Sequence, residues 1–131
     1  MQRSTALSIS AATLLWAAGC ASLGPLANGV SLTIDGKKQA VRGAVSCSSH
    51  SAGDAIKVGN LPDGIYVHIA PEASGIEELE LGNSTGKSLV GADAKVSLEQ
   101  DGTYDITGEA VPKDKQDSSA PKPFELKIKC P

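Results

Sequence analysis

Residues 82–88 read Gly-Asn-Ser-Thr-Gly-Lys-Ser, and two kinds of chemistry are almost spelled there. Gly86-Lys87-Ser88 has the ending of a phosphate loop, in which backbone amides and a lysine wrap phosphate oxygens just before a helix. Gly82, Ser84 and Gly86 have the spacing of a nucleophile elbow, which needs a strand before the serine, a helix after it, and a histidine and an acid brought to it. The phosphate loop fails on spacing, because its first glycine would fall at Leu81 and the following Leu89-Val90-Gly91-Ala92-Asp93 is no helix. The elbow lacks the helix too. His50 and His68 are the only histidines, and His68 falls on the polar side of its strand, beside Tyr66. A glycine-rich turn joining two strands is therefore expected. Asn83-Ser84-Thr85 matches the N-glycosylation pattern, which matters only on a eukaryotic secretory route. Glu72, Glu77, Glu78 and Glu80 lack the Asp/Asn-Gly spacing of a calcium loop and read as a solvated strand face. No cofactor, metal or catalytic residue is expected.

Cysteines carry the more specific signal. The first residues, MQRSTALSISAATLLWAAGC, have the layout of an export leader: Arg3 near the start, an apolar or small-residue run from Ala6 to Ala18, then Ala17, Ala18 and Gly19 leading into Cys20. That run is shorter than the roughly 20 residues a membrane-crossing helix takes. Residues 1–19 are therefore expected to be a cleaved signal, with 20–29 a short tether and 30–131 one folded domain. Small residues directly before a cysteine resemble a bacterial lipobox, so Cys20 is the expected lipidation site and the membrane the expected partner. Acyl chains contribute about 0.8 kcal/mol per buried methylene, and two or more hold a protein stably.

Cleavage would remove Arg3 and no acid, leaving a net charge of 11 − 15 = −4. An acidic domain is a poor nucleic-acid partner, which needs a basic face. Cys47 and Cys130 then remain in a chain bound for an oxidising compartment, the count expected for one disulfide. Two distant thiols without a CxxC and with scattered histidines make a poor zinc site. Such a bridge, between residues 83 apart in sequence, would stabilise the fold by on the order of 4 to 5 kcal/mol in the chain-entropy picture.

What positions these residues is a set of strands. From Val30 onward apolar side chains recur with period two, between turn signals at Asp35-Gly36, Leu61-Pro62-Asp63-Gly64 and Asp101-Gly102. Val30, Leu32 and Ile34 alternate with polar residues, as do Ile65, Val67 and Ile69, and Tyr104 and Ile106. Phe124, Leu126, Ile128 and Cys130 do the same at the end of the chain. Val41–Cys47, Ala55–Val58, Ile76–Leu81 and Ala94–Glu99 are further strand candidates. Seven to nine short antiparallel strands predict an all-β domain, a β-sandwich first and a small barrel second. Cys47 shares the parity of Val41 and Val45, and Cys130 that of Phe124 to Ile128, so both thiols should point inward and form a buried bridge. Trp16 leaves with the leader. Tyr66, Tyr104 and Phe124 are the remaining aromatics, so a core of Val, Ile, Leu and Ala should leave little volume for a sizeable ligand cavity. Residues 112–123, rich in charge and proline, predict an exposed mobile loop or a contact surface.

LTIDGKKQAVRGAVSC (32–47), GIEELELGNSTGKSL (75–89), DGTYDITGEA (101–110) and PFELKIKC (123–130) together resemble the mycobacterial 19 kDa lipoprotein antigen family. The resemblance runs in order across nearly all of residues 30–131 and includes Cys20, Cys47 and Cys130. It implies an exported envelope lipoprotein on the extracytoplasmic face of the cell membrane, with Cys20 acylated and Cys47 and Cys130 as the matching pair. It also implies a surface antigen without enzymatic activity, whose acylated N-terminus is sensed by Toll-like receptor 2 and which also acts as an adhesin toward a host receptor. The sequence departs from the family in its tether: ASLGPLANG offers only Ser22, where members commonly carry a long Ser/Thr/Ala-rich glycosylated stretch. A module that carries or senses a small lipid or glycolipid is the alternative function. The sequence names no oligomeric state.

Overall fold

A computed structural model describes residues 25–60, 64–82 and 88–131. They form nine strands: β1 (Val30–Ile34), β2 (Lys37–Gln39), β3 (Val45–His50), β4 (Gly53–Val58), β5 (Ile65–Ile69), β6 (Ile76–Gly82), β7 (Leu89–Leu98), β8 (Thr103–Pro112) and β9 (Lys122–Lys129). A single 3₁₀ turn, Pro71–Ala73, is the helical element among the described residues. Every pairing is antiparallel, in the order β2-β1-β9-β8-β7-β6-β5-β4-β3. The all-β expectation is met, at the upper end of the strand number.

The strands make one sheet rather than the two of the expected sandwich. Its edge strands, β2 and β3, are consecutive in the chain. Laid flat, nine strands at the usual spacing would put the edges about 38 Å apart, whereas the connection from Gln39 to Val45 reaches at most ~20 Å. The sheet has to curl. β6 and β7 pair only at Glu80↔Val90 and Gly82↔Leu89, with a register shift between them, and a further shift falls between His68 and Ile69 where β5 meets β6. β7 and β8 pair over a longer stretch, from Leu89↔Pro112 to Leu98↔Tyr104, with a shift of their own between Ala92 and Lys95. Gly82 has φ 71°, and an irregular pair of this kind bends a sheet without ending its hydrogen bonding. The sheet thus curls on itself as a single layer, and no separate second sheet forms among the described residues.

Alternation fills the space inside the curl. Ile56, Val58, Ile65, Val67, Ile69, Leu79 and Leu81 come from one half, and Leu32, Ile34, Ile106, Phe124, Leu126 and Ile128 from the other, all buried in one cluster. Asp35 and Gly36 both have positive φ, 54° and 76°, as the tight β1–β2 hairpin turn requires. Where the β2–β3 connection crosses the end of β4, Gly43 passes so close to Gly59 that an added Cβ would lie 2.5 Å from its Cα. Strand boundaries differ most at β3, which starts at Val45. Val41 instead accepts a hydrogen bond from Ala27, and Leu26 bridges to Arg42, so pairing begins before Val30.

Candidate functional site

Three places concentrate chemistry: the cystine, a polar latch across the curl, and a groove at the β1–β2 hairpin. Cys47 and Cys130 are disulfide-bonded, with Cα atoms 6.1 Å apart. The alternation argument places both thiols correctly, since Cys47 pairs with inward-facing Ile56. The expected burial does not hold. Cys47 is exposed and Cys130 half-buried. β3 is the last strand of the sheet, so its inner side lies at the rim of the curl, beyond the cover of the facing half; Ser46 to His50 are exposed throughout. Cys20, the expected lipidation site, lies outside the described residues.

The latch was not foreseen. Tyr104, on β8, donates its hydroxyl to Asp54 Oδ2, on β4, joining strands that are four places apart in the sheet. The hydrogen bond from Tyr104, with a second from Ser49, holds the Asp54 carboxyl below its usual range. The same bond, aided by burial and the Asp54 charge, pushes the Tyr104 phenol up to about 12. A signal existed in the sequence: Asp54 falls on the parity of Ile56 and Val58, where a carboxylate facing inward demands a donor.

The groove has a volume of about 260 Å³, with Ile34, Leu89 and Ala110 in its floor and Lys37, Gln39 and Lys122 on its rim. It is smaller than the roughly 300 to 1,000 Å³ of ordinary small-molecule sites. Lys122 is 3.6 Å from Asp35. Ser119 and Ala120, from the 113–121 segment, form its outer wall. That segment is exposed, as expected, and folded into local turns: Asp114 accepts from the Gln116 N–H and Asp117 from the Ser119 N–H, each at 2.9 Å. Lys113 fastens its start, donating its N–H to the Ser88 carbonyl and its ammonium to Glu80 at 2.7 Å.

Residues 83–87, and with them Ser84 and Lys87, lie outside the described residues. Just beyond them, Leu89 opens a ten-residue strand where both catalytic signatures need a helix. His50 ends the exposed edge strand, and His68 faces outward opposite Ala55 and Glu78. Of the acidic cluster, Glu77 and Glu78 are exposed and Glu80 is paired with Lys113. Among the described residues, no three His, Cys, Asp or Glu side chains are placed to hold a metal ion. On the outer face Lys127 stands 4.0 Å from both Glu99 and Asp105, and the Asp105 carboxylate raises the pKa of neighbouring Glu125. The cluster is a charge lattice that is solvated at Lys127 and Glu99, while Asp105 Oδ1 is buried.

No helix among the described residues is long and apolar enough to cross a membrane. The family model described as Mycobacterium 19 kDa lipoprotein antigen matches residues 25–130. No curated protein matches the chain.

Proposed function

The chain belongs to the Mycobacterium 19 kDa lipoprotein antigen family, and from that premise we propose that it is held on the extracytoplasmic face of the cell membrane by acyl chains on Cys20 and acts without catalysis, through its exterior. The family match carries this proposal: it starts at residue 25, five residues after a cysteine preceded by Ala17, Ala18 and Gly19. The acylated N-terminus is then the part sensed by Toll-like receptor 2, and the folded domain is the antigen and the adhesive surface. The exposed turns of 113–121 suit contact with a host receptor, because loops held on a rigid sheet are where recognition concentrates.

Replacing Cys20 by Ser tests the anchor. The variant is expected in the soluble fraction of its host, with loss of the Toll-like receptor 2 response in reporter cells. A variant that stays with the membrane refutes acylation at Cys20. A released variant that still stimulates the receptor refutes the sensing role alone.

The groove at the hairpin favours a second function, carriage of a small lipid or glycolipid, since its floor is apolar and its rim carries Lys37 and Lys122. Native mass spectrometry of the domain from its own host distinguishes the two. A stoichiometric passenger lost on Ala110→Trp would establish carriage.

A further inference from the structure

The end of the fold at Pro25, where the described chain begins, has a feature that acylation alone does not require. Ala27 donates its N–H to the Val41 carbonyl at 2.8 Å and Leu26 bridges to Arg42, so the entering chain is fixed to the domain. Ala27 packs against the core, and its neighbour Leu26 therefore points away from it, 58% exposed. Leu26 stands between two shallow grooves, one including Pro25, Gly43 and Lys129, the other Val41 and Lys38. No Asp or Glu side chain lines either groove, on a chain whose acids outnumber its bases.

Leu26 is thus an apolar side chain on a fixed backbone, and Cys20 precedes Pro25 by five residues, a length that reaches at most ~18 Å. We propose that this face rests on the anionic leaflet of the membrane, with Leu26 among the upper acyl carbons and Lys129 at the headgroups. The inference rests on acylation of Cys20 and adds an orientation to it. A cation beside a buried aliphatic side chain is a usual element of interfacial binding. β9 runs from Lys129, beside Leu26, to Lys122, at the hairpin groove. At about 3.3 Å per residue, that strand sets the Lys122 end of the groove and the 113–121 turns about 23 Å farther along it, on the outward side.

The test uses the absence of Trp from the chain once the leader is removed. Leu26→Trp and Ala120→Trp are each prepared in the full acylated protein and placed in phosphatidylglycerol/phosphatidylethanolamine vesicles whose lipids are brominated near the top of the acyl chains. Insertion to the depth of interfacial side chains should cut emission at position 26 at least about twofold and leave position 120 nearly unchanged. Protein that floats with the vesicles but shows no quenching at position 26 overturns the docking and leaves acylation standing. Equal quenching at both positions overturns the orientation. Protein that fails to float refutes acylation, and the docking falls with it. Formation of the Cys47–Cys130 bond, read on a non-reducing gel, confirms that each variant has folded.

Discussion

β3 and the residue that follows β9 are joined by a covalent bond, yet the two strands are held in the fold by opposite means. β9 pairs on both sides, with β1 and β8, and buries Phe124, Leu126 and Ile128 almost completely. β3 pairs only with β4, and every residue after Val45 is exposed. One strand is kept by burial and two hydrogen-bond ladders, the other by one ladder and a cystine. The difference teaches where this protein places its crosslink: at an exposed edge, not through the centre.

Removing the crosslink should have the largest effect. The double variant Cys47→Ala/Cys130→Ala is expected to lose on the order of 4 kcal/mol in chemical denaturation, with β3 amides losing hydrogen-exchange protection before those of β9. Because Cys47 is exposed, reductant should open the bond in the native protein, without denaturant, as thiol labelling would report. Next comes Leu126→Ala, which should cost about 3 kcal/mol as a buried leucine truncation; Ser48→Ala, on β3, should stay within about 0.5 kcal/mol. Equal losses at these two positions would erase the contrast between the strands.

The smallest effect concerns the latch. Tyr104→Phe removes a hydrogen bond to a carboxylate that is partly exposed, so about 1 kcal/mol is expected, at the low end for a charged acceptor. Its pH dependence has a definite sign. Tyr104 in the folded protein titrates at about 12, above the unfolded value near 10, so its contribution is present below pH ~10 and fades as pH rises from there towards 12. The lowered Asp54 gives the opposite limb: its contribution is present above the unfolded value of about 3.9 and is lost as pH falls through the lower folded value. Phenylalanine at 104 should flatten the alkaline limb and most of the acid one in urea-unfolding curves.

Most strands were legible because they carry their own record, a side chain every second residue being apolar, as in Val30-Leu32-Ile34 and Phe124-Leu126-Ile128; β2, Lys37-Lys38-Gln39, has no apolar residue and was not legible. Asp35-Gly36 and Asp101-Gly102 likewise mark their turns locally. The curl was not legible, since it depends on register shifts between strands and on a connection too short to span a flat sheet. Parity gave the direction of Cys47 but not its burial, because which strand ends the sheet is a property of the whole order. The Tyr104–Asp54 contact joins residues 50 apart. Asp54 on an inward position announced a missing donor without saying which strand would supply it. For the anchor, the residues before Cys20 speak more directly than the fold does.

The neighbour of the first strand is the last. β1 can complete its pairing only after β9 has left the ribosome, and Cys130 arrives later still. The β1–β2 hairpin must therefore wait with one side unpaired, and Cys47 with its thiol unmatched. Closure of the sheet is thereby deferred until its late strands have been made.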